Sequence, residues 1–217
     1  MNDEQKVKIQ HLRLNIEQLY AHHNKDLLFH GWHHIYFVTQ KALEFAKSIQ
    51  ANEFIVESAA LTHDLNYIVK PFSEPEDATE LRTEILLEAG YTAEEINQVE
   101  SAIMSAHTAN RGATLTIEAQ ALSDGDTMFK AVPTTLPLFT SKFLIQNKVD
   151  LQKLTDKILT EQIPLMDQGI YFYTELAKTK YLKWAQDNLE IWKNMRQALA
   201  DPDVQQMLQI ARDNQVI

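Results

Sequence analysis

Apolar residues recur along almost the whole chain at three- and four-residue intervals, the period of a helix with one buried face. Ile9, Leu12, Ile16 and Leu19 mark the first such face, predicted to end near His22-His23-Asn24. A second helix is predicted after Gly31, with His34, Val38, Phe45 and Ile49 near one face. A third, over about 52–65, carries Val56, Ala59, Ala60 and His63 inward. The two prolines of Pro71-Phe72-Ser73-Glu74-Pro75-Glu76 predict a loop. Helix resumes through Leu81, Ile85 and Leu86 and stops at Gly90, a residue suited to the left-handed turn that ends many helices. Thr92 and Glu95 form a capping-box pair. They open a helix whose Val99, Ile103 and His107 share an apolar face, with Arg111-Gly112 at its end. A further run from Thr116 through Leu122 to Phe129 closes near Pro133.

Pro133 to Pro137 is the clearest internal break. Beyond it the pattern predicts helices at about 138–146, 150–161 and 164–198, and Asp201-Pro202 starts a last one, with an acid at the N-cap and proline at the first helical position. There is no repeat, low-complexity tract or flexible linker. Five glycines and six prolines in 217 residues are too few for the many turns of a β-sandwich. The prediction is an all-α fold over 1–217, with a core at about 20–130 and a C-terminal helical annex at about 138–217. The annex reads as scaffold, open to two uses: a homodimer interface or completion of the bundle.

Composition narrows the chemistry. The chain has no cysteine, so disulfides, cysteine zinc sites and cysteine nucleophiles are excluded. Any metal must use imidazole and oxygen ligands, which suit Mn, Ni, Co, Fe, Mg or Zn. A formal charge of −10 argues against a nucleic-acid polymer or an anionic membrane as partner. A small phosphorylated molecule stays compatible if a metal and local cations offset its charge. The opening Met1-Asn2-Asp3-Glu4 is polar, and no apolar run approaches the ~18 residues of a spanning helix. The expectation is a cytoplasmic protein.

All eight histidines precede residue 108. His34, the pair His63-Asp64, His107 and the acids of Asp124-Gly125-Asp126 each sit on or beside a separate apolar helical face. His33 competes with His34, and Asp124 with Asp126. His34 shares a face with Val38 and Phe45, whereas Asp124 is suited to capping or to orienting a ligand. His22 and His23 suit a helix C-terminus, and His11 reads as a surface residue.

In this order the residues resemble the HD superfamily of metal-dependent phosphohydrolases, whose pattern is H…HD…D across a helical bundle. His34 precedes the apolar Val38 by four, His63-Asp64 matches the central pair, and Asp126-Thr127-Met128-Phe129 matches the closing turn. The segment His30-Gly31-Trp32-His33-His34 is similar to the YHNWxH opening of small bacterial members, with Phe29 in place of the tyrosine. The likeness covers about residues 20–130.

The resemblance implies an HD-type bundle with additional C-terminal helices. It also implies a divalent metal on His34, His63, Asp64 and Asp126, at one or two sites. The implied activity is hydrolysis of a phosphomonoester or phosphoanhydride of a nucleotide or other small metabolite by metal-activated water. Asp64 would assist catalysis and could bridge a second ion. His107, with His30 behind it, is the implied candidate for that ion. His30 and Arg111 are substrate-binding candidates, Arg111 through bidentate contact with phosphate; Lys70 and Arg82 are weaker ones. Nucleotidase branches place a glutamate soon after the HD pair, but here His63-Asp64-Leu65-Asn66-Tyr67-Ile68 has no further acid. Glu76 is the candidate general acid or base, with Glu74 and Asp77 beside it. Trp32 and Tyr67 could stack on a base. Two other readings share the fold: a di-iron oxygenase and a non-catalytic metal-binding module.

Overall fold

The computed structural model describes residues 1–70 and 73–216, and every regular element among them is helical, as the periodicity predicts. Helix α1 (Asp3–His22) starts where Asn2 Oδ1 accepts the Gln5 N–H at 2.8 Å. Of its predicted stripe Ile9, Leu12 and Ile16 are buried, while Leu19 is only partly buried and its neighbour Tyr20 takes the innermost place. Helix α2 (Trp32–Ser48) buries Ile35, Val38, Ala42 and Phe45, and α3 (Glu53–Thr62) is buried from Phe54 to Thr62. A helix apolar on all sides belongs in the centre of a bundle, and α3 lies there, packed on α1, α2 and α6 (Ala93–Ala106).

Between α3 and α6 the chain makes the turn His63-Asp64-Leu65 and the short helix α4 (Asn66–Val69). After Ser73 and Glu74 come a 3₁₀ turn (Pro75–Ala78) and α5 (Thr79–Glu88). Pro71 and Phe72, part of the predicted loop, lie outside the described residues. Helix α7 (Ile117–Ala131) then packs extensively on α2.

Gly125 makes that packing as close as it is. A Cβ at this position would lie 2.9 Å from both the Cβ and the backbone nitrogen of Ala42. The absent side chain therefore lets α7 approach α2, the helix that carries His34. Gly125→Ala is expected to push the two helices apart, at a net cost of about 1–2 kcal/mol after the helical preference of alanine is credited. Because His34 and Asp126 ride on the separated helices, metal affinity should fall in the same variant. Chemical denaturation and metal titration of one preparation check both.

The annex consists of α8 (Thr135–Asn147), α9 (Leu151–Asp167), α10 (Glu175–Leu199) and α11 (Pro202–Asp213). Leu154, Leu159, Leu189 and Trp192 form a small apolar cluster between α9 and α10, and α10 also rests on α7. Helix α11 contributes no buried residue.

Three predicted boundaries move. The break expected near Pro164 falls later, at 168–174: Pro164 stays inside α9, and Gly169, at φ +68°, ends it. Thr174 then caps α10 by accepting the Ala177 N–H at 3.3 Å. Helix α8 starts at Thr135 because Pro137 falls in its first turn, where no intrahelical N–H is needed. Helix α6 stops at Ala106, so His107 leaves the apolar face it was predicted to share and turns extended, at ψ 141°. Asn110 Nδ2 donates to the Met104 carbonyl at 2.8 Å, which satisfies a helix-end acceptor and favours the early stop. No helix among the described residues is long and apolar enough to cross a membrane.

Candidate metal centre

Three side chains, His34, His63 and Asp64, meet at one point, and Asp126 lies beside them. His34, in the first turn of α2, places Nε2 3.0 Å from Asp64 Oδ2, 3.3 Å from His63 Nε2 and 3.6 Å from Asp126 Oδ1. His63 Nε2 is 3.3 Å from the same Asp64 oxygen. The His63 side chain is 10% exposed, Asp64 14% and Asp126 28%, so an ion can reach atoms that the bundle otherwise encloses. Phe129 walls the centre with its ring edge-to-face on His34, centroids 4.6 Å apart.

The donors fit a divalent ion. His63 Nδ1 lies 2.9 Å from the Ala60 carbonyl, which only accepts, so Nδ1 carries a proton and Nε2 is the nitrogen whose lone pair an ion would take once its own proton is displaced. Such a bond on the far nitrogen is the usual support of a metal-ligating histidine. Asp64 Oδ2, close to both imidazole nitrogens, is buried with no hydrogen bond of its own, which leaves an acceptor aimed at the shared point. His34, His63 and Asp64 could hold a metal ion, and Asp126 adds a second carboxylate beside them.

Burial favours neutral His63, yet the neighbouring negative charge of Asp64 outweighs it and raises the imidazole from the ordinary 6.5 to about 9. Asp64 is held well below the usual carboxylate range by the two histidines, against its burial. A histidine pKa raised by folding gives the metal-free protein stability that is complete below the ordinary value and lost as pH rises through about 9. A metal competes with that proton, so its binding strengthens over the same interval. The expected result is a gap between metal-loaded and chelated melting temperatures that widens from about pH 6 to about pH 9. Thermal melts across that range test it; a constant gap would remove His63 from the ligand set.

The alternatives within each candidate pair separate clearly. His33 is exposed and stacks on Phe139 at 4.7 Å, whereas His34 is 1% exposed and faces the centre. Asp124 points away from Asp126. It accepts the backbone N–H groups of Tyr173 and Thr174 at 2.8 and 2.7 Å, bonds that hold the chain entering α10. Burial raises its pKa despite those bonds.

Other candidates lie where sequence alone did not place them. The Arg111 guanidinium donates to the Tyr171 carbonyl at 3.0 Å, to the Ser123 carbonyl at 3.4 Å and to the Thr127 hydroxyl. With Asp124 3.9 Å away it is a buried clasp on the annex, which corrects its expected contact with phosphate. Glu76 is exposed in the 3₁₀ turn, and Glu74 instead faces His107 at 3.7 Å between Oε2 and Nε2. Lys70 pairs with Asp77 at 2.8 Å, and Arg82 is fully buried against Glu100 and the Pro75 carbonyl.

A cavity of about 710 Å³ opens between the bundle and the annex. His30, Tyr67, Glu74 and His107 line its bundle side, and Lys153 and Trp192 belong to the annex side. It borders the centre through His30, whose ring centroid is 5.7 Å from that of His34, and through Lys130, 3.3 Å from Asp126 Oδ2. Burial lowers the His30 pKa to about 3, and the ring stacks on Tyr67 at 3.8 Å. Two contributions, Lys130 in the cavity wall and Gln146 behind His30, escaped the sequence reading. Lys130 follows Asp126 by four and was findable by helical spacing. Gln146 bonds His30 from 116 residues away and leaves no local signal.

No protein-family model matches the chain, and no curated protein matches it. Solved structures do. YpgQ of Bacillus subtilis is 20% identical with a TM-score of 0.61, over 90% of this chain and 98% of that one. The same protein in complex with ADP gives 0.58 at 20% identity, over 89% and 99%. The Lin1889 protein of Listeria innocua gives 0.53 at 22% identity, over 93% and 97%. At such identities the likeness establishes a shared fold.

Proposed function

We propose that the protein is an HD-type phosphohydrolase that uses a divalent metal to cleave a phosphomonoester or phosphoanhydride of a nucleotide or other small metabolite. The observation that carries this reading is the convergence of His34, His63 and Asp64, with Asp126 next to His34, beside a cavity large enough for such a molecule. A divalent ion held there would supply Lewis acidity toward a phosphoryl oxygen and activate water near neutral pH. The chain's own groups bind and orient. Lys130 and Lys153 offer positive charge to phosphates in an otherwise acidic protein. Tyr67, aligned by its stack on His30, offers an aromatic wall. Phe29, Phe143 and Trp192 exclude water from other parts of the cavity. A nucleotide is favoured within this class because YpgQ, of the same fold, has been captured with ADP.

The hydrolase reading is preferred to a di-iron oxygenase. A second iron needs additional free imidazoles, whereas among the described residues His30 is bonded to Gln146 and His107 faces Glu74. The experiment is a panel of nucleotides and phosphate esters assayed with Mn, Co, Ni and Mg, alongside metal analysis of anaerobically purified protein. Metal-dependent release of phosphate or pyrophosphate supports the proposal. Its absence across the panel, or two tightly bound irons, overturns it.

A further inference from the structure

His30 and Gln146 settle a question of proton placement beside the metal centre. Gln146, on α8, accepts two backbone N–H groups on its Oε1, from Phe29 at 2.7 Å and from His30 at 3.2 Å. Those two donors fix the orientation of the amide, since the flipped form would set its NH₂ against both. The amide nitrogen therefore lies 2.7 Å from His30 Nδ1 as a donor, and Nδ1 must accept. A neutral imidazole carries one ring proton, so that proton is on Nε2. The imidazolium and the Nδ1–H tautomer are both excluded by the same contact, because each would oppose two donors at that distance.

An Nε2 that bears its proton has no in-plane lone pair for an ion. It is a hydrogen-bond donor, on a ring that forms part of the cavity wall and stands edge-on to His34. We propose that Gln146 is a positioning residue that reserves His30 as a donor to a phosphoryl oxygen in the cavity and keeps it out of the metal's ligand set. The recipient of the bond rests on the hydrolase reading above; the placement of the proton does not. Recruiting His30 to an ion would require the Gln146 amide to turn and leave the Phe29 and His30 N–H groups without their acceptor, a loss that buried donors resist. The annex thereby takes part in the chemistry of the site, since α8 supplies the group that sets the character of a histidine in the bundle.

The test is nitrogen-15 NMR of the histidine rings in the full-length protein, with His30 assigned from the signal lost in His30→Gln. The expected spectrum has a bare Nδ1 and a protonated Nε2, unchanged when zinc is added. Mg-ADP, used as the probe, should shift the Nε2–H resonance downfield. In Gln146→Glu the two backbone N–H groups keep an acceptor, while the third contact reverses from donor to acceptor, so Nδ1 should gain a proton. Gln146→Leu, which imposes neither sense, should give a mixture of tautomers and serves if the glutamate variant does not fold. Any of four results overturns the proposal: Nδ1–H in the wild type, loss of the Nε2–H signal on zinc binding, no response to Mg-ADP, or a bare Nδ1 in Gln146→Glu. Loss of phosphatase activity throughout the substrate panel with these spectra intact would sink the hydrolase reading alone.

Discussion

Asp64→Asn should fold and yet lose metal-dependent phosphate release by at least about 10³-fold, since both metal and transition-state charge stabilisation depend on this carboxylate. Asp64 Oδ2 is the oxygen nearest both imidazoles, at 3.0 and 3.3 Å, so an amide removes the one charge shared by the whole cluster. Replacing groups behind the ligands of metal sites costs roughly 10–100-fold in affinity, and loss of an anionic ligand should exceed that. The size of the side chain is kept, so the helical circular-dichroism signal should stay at the wild-type level. The variant has a second expected signature. Asp64 is the chief group raising the His63 pKa, and without it the pH-dependent widening of the melting-temperature gap should disappear. Metal content by elemental analysis, activity and melts on one preparation give three readings. A variant that still holds metal and turns over normally would exclude Asp64 from the centre and the hydrolase proposal with it.

What the sequence reveals about this protein divides along a physical line. Contacts encoded by helical period were legible: the faces of α1, α2 and α7, the capping box at Thr92, and the choice of His34 over the exposed His33 all follow from residue spacing. The four candidate ligands were legible as an ordered pattern, because each sits at the start, within, or at the end of a strongly apolar segment. Contacts set by where distant segments land were not. The turn pattern at Asp126-Thr127-Met128-Phe129 favoured Asp126 over Asp124, but what Asp124 does instead, holding the backbone of Tyr173 and Thr174 about fifty residues onward, left no local signal. Arg111 looked like a phosphate ligand until the chain entering α10 placed the Tyr171 carbonyl within its reach. Glu74 and Glu76 differ by two residues, and only the turn geometry brings Glu74 to His107 and leaves Glu76 on the surface. Gln146 is one polar residue on an amphipathic helix, and its value comes from a loop 116 positions earlier.

Because Asp124 and Asp126 face opposite partners, substitutions at the two positions should have opposite consequences. Asp124→Ala is expected to destabilise the chelated protein by about 3–5 kcal/mol, the range for removing one member of a buried charged pair and its hydrogen bonds. The damage arises from what is left behind. Two backbone N–H groups lose their acceptor, and the buried Arg111 guanidinium loses its neighbouring carboxylate. The raised pKa of Asp124 shows that its burial is only partly compensated, so lost Coulomb attraction is the smaller part of that cost. Asp126→Ala removes a 28% exposed carboxylate whose ion-pair partner, Lys130, is itself 39% exposed. Such a pair contributes at most about 1 kcal/mol, and relief of repulsion from Asp64 offsets part of that. Metal affinity should respond in the reverse order, falling sharply in Asp126→Ala and staying near wild type in folded Asp124→Ala at low temperature. Denaturant unfolding of the chelated proteins, paired with metal titration, reads both quantities. If Asp124→Ala lost the metal while Asp126→Ala lost the stability, the two carboxylates would have exchanged roles and the centre drawn around Asp126 would be misassigned.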